Sequence, residues 1–284
     1  MPELFWIDGE IVPAEKAVVP AADRGLLYGD GLFETLLGLH GQVAFLNRHI
    51  ARLNASAHAL RIPCPLSPQE LCAAVGEVVE RADEGQLYLR ITLTRGVGGR
   101  PSELDAGAGR LIIWARPYPG YPQHLYENGM AAVLATTRRN QHSPLCKHKT
   151  LNYLDNLLAK AEAAENGADE AILLNTDGRI AEASASNLFI VVAEKLLTPP
   201  LDDGALPGIV RQVIIEIAAE LGIPCAERSL LPGDLAQADE AFLTNGLMGV
   251  MPLCRFAASA IGCGQPGPVT RRLRESCEDM LADL

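Results

Sequence analysis

The chain has 284 residues, 48% of them hydrophobic and 21% charged, a composition that suits a globular protein with length for two modest domains. Its formal net charge is −11 and it carries no basic stripe, which argues against nucleic acid as a partner. The N-terminal MPELFWIDGE lacks the basic-then-apolar order of a signal peptide, and no apolar run is long enough to cross a bilayer, so a cytoplasmic protein without a membrane partner is expected.

In chain order, LFWIDGEIVPAEKAVV predicts two short strands around an Asp8-Gly9 turn. GLFETLLGLHGQVAFL is strand-like, with a turn near His40-Gly41. Leu46, Ile50, Leu53, Ala57 and Leu60 recur at helical spacing, as do Leu71, Val75, Val78 and Val79 between Pro68 and Arg81. QLYLRITLTRG and RLIIWARPY follow as β-rich runs. Residues 1–116 therefore predict a small α+β domain. Three prolines and a glycine in RPYPGYPQ mark 117–123 as a linker, and 124–284 predict a larger second domain. There GMAAVLATT predicts a strand. The run CKHKTLNYLDNLLAKAEAAENGADEA predicts a helix with Leu151, Leu154, Leu157, Leu158 and Ala161 on one face and an Asn166-Gly167 stop. EAILLN, a Thr176-Asp177-Gly178 turn and NLFIVV predict a hairpin, and Ile209 to Leu221 predicts a second strong helix ending at Gly222.

Seven cysteines without C-x-x-C spacing, and six histidines without an H-x-x-x-H pair, argue against a disulfide framework and against a metal site. Pro207-Gly208-Ile209-Val210 places a glycine before an apolar helix, where free N–H groups favour an anion, although a plain helix start has the same pattern. Arg52 in RHIARL reads alone as a solvated arginine. Glu182 lies among small residues before a strand, exposed or facing a buried cation. Asn245 and Gly246 in FLTNGLMGVMPL read as a turn at a strand end. Lys147 and Lys149 crowd a predicted helix start, an unfavourable place for cations.

Taken together, YGDGLFETLLG, RHIARL, KTLNYLDNLLAKAEA, EASASNLFIV, LPGIVRQVIIEIA and LTNGLMGVMPL resemble, in order, the motifs of fold-type IV pyridoxal-phosphate enzymes. The resemblance runs from about Trp6 to Pro252. It implies two domains, a small N-terminal α/β sandwich and a larger β-barrel-like C-terminal domain with helices. It implies pyridoxal 5′-phosphate as cofactor and a homodimer whose small domain reaches the partner's site. It implies Lys149 as the lysine that forms the Schiff base, Glu182 against the pyridine nitrogen and Arg52 on the phosphate. Ile209 and Val210 would add backbone N–H groups, and the Asn245-Gly246 turn would finish the phosphate cup. A Schiff base needs a neutral amine, so a helix N-terminus and Lys147 are expected to help keep Lys149 deprotonated.

Within that family LTNGLMGVMPL resembles the N-[SA]-L-M-[GP]-V-x-P signature of aminodeoxychorismate lyases, and LTRGVGGRPSE resembles their S-R-G-x-G-G-R-G stretch. The resemblance implies release of 4-aminobenzoate and pyruvate, a step of folate biosynthesis, with Lys149 as general base and Thr35 placing a proton. Arg100 would bind a substrate carboxylate and Tyr28 would line the site. Against this, Tyr88-Leu89-Arg90 resembles the Y-x-R of branched-chain aminotransferases, which would make Tyr88 and Arg90 substrate residues. Ser102 stands where D-amino-acid enzymes have a histidine. The sequence therefore leads to the lyase first and a class IV aminotransferase as the alternative.

Overall fold

A computed structural model describes residues 3–82, 85–105 and 107–282. The chain divides into two compact units. The first runs to Gly120 and takes in His148–Asn152; the second is Tyr121–Lys147 with Tyr153 onward.

The first unit carries β1 (Leu4–Ile7), β2 (Glu10–Pro13), α1 (Arg24–Tyr28), β3 (Gly31–Leu39), β4 (Gln42–Val43), α2 (Leu46–Ala59), α3 (Pro68–Ala82), β5 (Gln86–Thr94) and β6 (Arg110–Pro117). Among the described residues its strands form one antiparallel sheet, ordered β2-β1-β6-β5-β3-β4. Period-2 alternation decides which face each residue joins. Leu32 and Leu36 of β3, Leu89, Ile91 and Leu93 of β5, and Leu111 and Ile113 of β6 enter the core against α2 and α3. The opposite face carries Phe33 and Thr35, with Tyr88, Arg90 and Trp114 in register beside them. Helix α2 turns His49, Ile50, Leu53, Ser56 and Ala57 inward, the helical spacing expected from the sequence.

The second unit carries α4 (Gln123–Asn128), β7 (Met130–Arg139), α5 (Leu154–Glu165), β8 (Glu170–Asn175), β9 (Ile180–Ala183), β10 (Asn187–Val192), β11 (Lys195–Thr198), α6 (Ile209–Glu220), β12 (Cys225–Glu227), α7 (Pro232–Ala236), β13 (Glu240–Asn245), β14 (Gly249–Phe256), β15 (Ser259–Ala260) and α8 (Pro268–Ala282). Its mixed sheet is ordered β12-β11-β10-β13-β14-β7-β8-β9, with β15 paired to β14. The strands of its centre are buried on both faces and read as continuous apolar runs, such as NLFIVV of β10. Phe189 and Phe242 stack there at 5.0 Å between centroids.

One expectation about the lysine stretch is corrected. The helix begins at Leu154, five residues after Lys149, because His148–Asn152 is held in an extended path along β3. Leu154, Leu157 and Leu158 do share one face of the helix, as read from the sequence, and that face is the outward one. Leu154, Leu157 and Leu158 are 66%, 57% and 54% exposed, whereas Asn156, Ala159 and Ala163 face inward. Small residues let α5 lie close to β7 and β8. Among the described residues no helix is long and apolar enough to cross a membrane.

Candidate active site

In the first unit Lys149 is placed by backbone pairing. The Phe33 N–H donates to the Lys149 carbonyl at 2.9 Å, the Leu151 N–H donates to the Gly31 carbonyl at 3.0 Å, and Thr150 bridges Leu32. Side chains tie down the flanks of the segment. His148 Nδ1 lies 2.9 Å from Ser56 Oγ on α2, and Asn152 Nδ2 donates to the Gly29 carbonyl at 3.0 Å. Lys149 Nζ then lies 4.3 Å from the centroid of the Phe33 ring. The Arg90 guanidinium lies 3.9 Å from the same centroid, and Thr35 is directly opposite Arg90 in the strand pair. Lys149, Thr35 and Arg90 are thus brought onto or beside one sheet face. Tyr88 shares it, edge-on to Trp114 at 5.5 Å and beneath the Arg116 guanidinium at 4.8 Å.

Arg52 is not a solvated arginine. Its Nε donates to Glu34 Oε1 at 2.8 Å and its Nη2 to Glu34 Oε2 at 2.5 Å. His49 Nδ1 lies 2.8 Å from the same Oε2. Glu34 sits on the core face of β3 and is 1% exposed, so burial alone would raise its pKa. The Arg52 charge and the hydrogen bonds from His49 and Arg52 outweigh burial and hold it at about 2. Burial lowers the His49 pKa, opposed by Glu34 and reinforced by the Arg52 and Lys149 charges. His49 is therefore neutral near pH 7, with the proton on Nδ1, because an ionised carboxylate can only accept. Glu34 and His49 lie inside two of the quoted motifs, YGDGLFETLLG and RHIARL, but the sequence assigns neither a role. The available signal was a glutamate at a core-facing position of an otherwise apolar strand.

Lys147 belongs to the second unit. It ends a short 3-10 turn, and its Nζ pairs with Asp202 Oδ1 at 3.1 Å with both side chains more than half exposed. In place of the helix start expected at Lys149, its own segment runs extended beside β3. Within the first unit the Arg90 guanidinium shares the Phe33 ring with Lys149.

In the second unit Glu182 of β9 is 5% exposed. Its Oε1 pairs with Arg139 Nη1 at 3.1 Å. Its Oε2 accepts from Leu206 N–H at 2.8 Å and from Asn187 Nδ2 at 3.2 Å. Of the two sequence alternatives, the carboxylate faces a largely buried cation. Arg139 itself is fixed by the Gly204 carbonyl at 2.6 Å and the Cys146 carbonyl at 3.0 Å. No local pattern in the sequence marks Arg139, since its partners lie far along the chain. Asn187, the asparagine of the NLF strand, also donates to the Leu206 carbonyl at 2.9 Å. It packs so close to Gly208 that a Cβ there would lie 1.9 Å from Asn187 Oδ1.

Gly208 opens α6, and no side chain caps its first turn. The Ile209 and Val210 N–H groups thus keep the anion preference of a helix start. Asn245 acts differently from a direct ligand. Its Oδ1 accepts from the Leu247 and Met248 N–H groups, both at 2.9 Å, and its Nδ2 donates to the Ala185 carbonyl at 3.2 Å. It shapes the turn that contains Gly246. The remaining candidates are exposed: Tyr28 at 54%, and the Arg100 side chain at 86%, with Glu103 Oε1 3.9 Å away. Among the described residues no cluster of three or more His, Cys, Asp or Glu could hold a metal ion.

The chain is similar to known proteins along most of its length. The family model for amino-transferase class IV matches residues 31–256. A putative branched-chain-amino-acid aminotransferase of Methanocaldococcus jannaschii is 36% identical, covering 97% of this chain and 96% of its own. The D-alanine aminotransferase of Bacillus licheniformis is 31% identical over 96% of this chain and 95% of its own. The T.th. branched-chain amino acid aminotransferase, solved with pyridoxamine 5′-phosphate, superposes with a TM-score of 0.91 at 31% identity, covering 97% of this chain and 93% of its own. These relatives carry aminotransferase names, so they favour the alternative of the sequence reading over the lyase. Six motifs in order, a match over most of the chain and a shared fold lead to one conclusion: the chain belongs to the class IV aminotransferases, a family of pyridoxal-phosphate enzymes.

Proposed function

We propose that the protein is an aminotransferase that moves an amino group from a branched-chain L-amino acid to 2-oxoglutarate. The observation that carries this reading is the Phe33 ring with Lys149 Nζ at 4.3 Å and the Arg90 guanidinium at 3.9 Å from its centroid. A reactive amine and a carboxylate-binding cation, spaced by one apolar ring, suit an amino acid whose side chain is alternately apolar and anionic.

The residues present suit pyridoxal 5′-phosphate. Lys149 would bond it, Arg52 and the Ile209 and Val210 N–H groups would hold its phosphate, and Asn245 would shape the turn that carries Gly246 beside it. Glu182, paired with Arg139, would hold a proton on the pyridine nitrogen. When bound, the cofactor supplies an electron sink. Lys149 Nζ would take the proton from the donor's Cα, acting as general base. Arg90, with Tyr88 and Thr35 beside it, would bind the distal carboxylate of the acidic partner. Tyr28 and Arg100, both exposed, would serve a partner subunit's site. A homodimer accords with two exposed apolar clusters, Leu26 and Leu27 on α1, and Leu154, Leu157 and Leu158 on α5. Seven free thiols suit a reducing cytoplasm.

The D-amino-acid reading stands second, supported by the Bacillus relative but weakened by Ser102. The test is a donor series. With 2-oxoglutarate as acceptor, L-leucine and L-isoleucine should be turned over to glutamate at least tenfold faster than D-alanine. Aminodeoxychorismate without a keto acid should give no sustained 4-aminobenzoate. Sustained release of 4-aminobenzoate and pyruvate in equal amounts would restore the lyase.

A further inference from the structure

We infer that Asp30, acting through Arg24 and Arg95, is a positioning residue for substrate recognition: it locks α1, with Tyr28, and the loop of residues 96–105, with Arg100, into one rigid body. The inference deepens the aminotransferase reading and rests on it for the roles of Tyr28 and Arg100.

Two arginines meet on one carboxylate. Arg24 Nε donates to Asp30 Oδ2 at 2.9 Å. Arg95 Nε donates to the same oxygen at 2.8 Å, and Arg95 Nη2 donates to Oδ1 at 3.0 Å. Arg24 and Arg95 are 5% and 2% exposed. Such burial of two like charges side by side is tolerated only with an anion between them. Burial tends to raise the Asp30 pKa, yet the hydrogen bonds and charges of Arg95 and Arg24 bring it below the ordinary carboxylate value.

The remaining guanidinium donors are spent on main-chain carbonyls of the loop and its support. Arg24 Nη1 reaches the Arg100 carbonyl at 2.8 Å and the Glu103 carbonyl at 3.4 Å, and Nη2 the Pro101 carbonyl at 3.2 Å. Arg95 Nη1 donates to the Leu104 and Arg61 carbonyls, and Nη2 to the Leu60 carbonyl at 3.1 Å. The loop has glycines at 96, 98 and 99 with positive φ, so its own backbone supplies little stiffness. The arginines provide what its composition lacks.

The backbone of Asp30 joins the same assembly to the lysine segment. Asp30 N–H donates to the Arg24 carbonyl at 3.3 Å, and Arg95 N–H donates to the Asp30 carbonyl at 3.1 Å. Its neighbours Gly29 and Gly31 accept from Asn152 and Leu151. One residue thus links the stretch bearing Lys149, the helix bearing Tyr28 and the loop bearing Arg100. Both oxygens of the Asp30 carboxylate are engaged by Arg24 and Arg95, so its loss should loosen the loop and spare cofactor binding.

The test uses the purified holoenzyme and Asp30→Asn. KM for 2-oxoglutarate should rise at least tenfold, with kcat within threefold and cofactor affinity within twofold of the parent. Cleavage after Glu103 by glutamyl endopeptidase should accelerate. If Asp30→Asn fails to fold, Arg24→Gln, which leaves the Asp30–Arg95 pair intact, should show the same split in smaller measure. An active parent whose variants keep their KM and their Glu103 protection, or lose cofactor and kcat together, overturns the inference. A parent that transaminates no amino acid sinks the aminotransferase reading instead, and the Glu103 cleavage rates still decide whether Asp30 holds the loop.

Discussion

Arg52 shows how one side chain can be misjudged from its neighbours in sequence and explained by its neighbours in space. Held in a bidentate grip by Glu34, its guanidinium is oriented in advance for the phosphate it is proposed to hold. Arg52→Ala should weaken cofactor affinity about tenfold to hundredfold, the equivalent of about 1.5–3 kcal/mol for a charge-assisted hydrogen bond. Spectrophotometric titration of the apoprotein with pyridoxal phosphate measures this. Glu34 carries a pH dependence as well. Its folded pKa of about 2 lies below its ordinary 4.5, so its contribution is complete above about pH 4.5 and lost as pH falls through about 2. That amounts to about 3 kcal/mol, which Glu34→Gln should not show. Both tryptophans, Trp6 and Trp114, lie in the N-terminal sheet, so their fluorescence follows this unit selectively during acid unfolding. At Lys149 the expectation is sharper. Lys149→Ala should abolish turnover and the cofactor's visible band, while Lys147→Ala, which removes only an exposed pair with Asp202, should keep both. Borohydride labelling of Lys147 rather than Lys149 would reverse the assignment.

Helix α5 and helix α6 teach opposite lessons at the scale of elements. The period of α6 was readable because its apolar residues are the ones it buries: Ile209, Val210, Val213, Ile214 and Ile217. Its glycine start was readable as well, though not its reason. The reason is Asn187, a residue brought from β10 to the cap. Gly208→Ala would press a methyl into that carboxamide and dislodge it from Glu182. It should destabilise the protein by about 1–3 kcal/mol in thermal unfolding and lower cofactor affinity further than loss of stability explains. In α5 the leucine period was just as clear, but it marks the outward face. Periodicity reports which residues share a side of a helix, and is silent on whether that side meets the chain's own core or another molecule. The lysine stretch misled for a related reason. A segment with good helix formers was drawn straight by pairing with β3, and tertiary pairing overrides local preference. A buried cation opposite Glu182 was one of two readings, but Arg139 could not be named, because nothing in a linear pattern brings two residues so far apart in the chain together.

For the whole molecule, three exposed leucines on one helix are a large apolar surface for a solvated protein. If the proposed homodimer is built on this face, Leu157→Glu combined with Leu158→Glu should give a monomer in sedimentation while leaving the far-UV circular dichroism unchanged. Activity should fall with the dimer, because Tyr28 and Arg100 are proposed to serve the partner's site. A variant that stays dimeric would move the interface elsewhere.

The five residues His148–Asn152 belong to the N-terminal unit although more than two dozen residues of the other unit precede them in the chain. During synthesis the N-terminal sheet can form all six of its strands by the time Pro117 emerges, yet it stays unfinished at β3, where Phe33, Leu32 and Gly31 await Lys149, Thr150 and Leu151. The polypeptide must therefore be translated past the start of its second half before its first half is complete. A fragment ending at Gly120 is accordingly a scaffold without Lys149, the lysine proposed as its reactive amine. Supplying residues 121–284 as a separate chain should restore both at once, so that regain of turnover on mixing the fragments would report the docking of a single short strand.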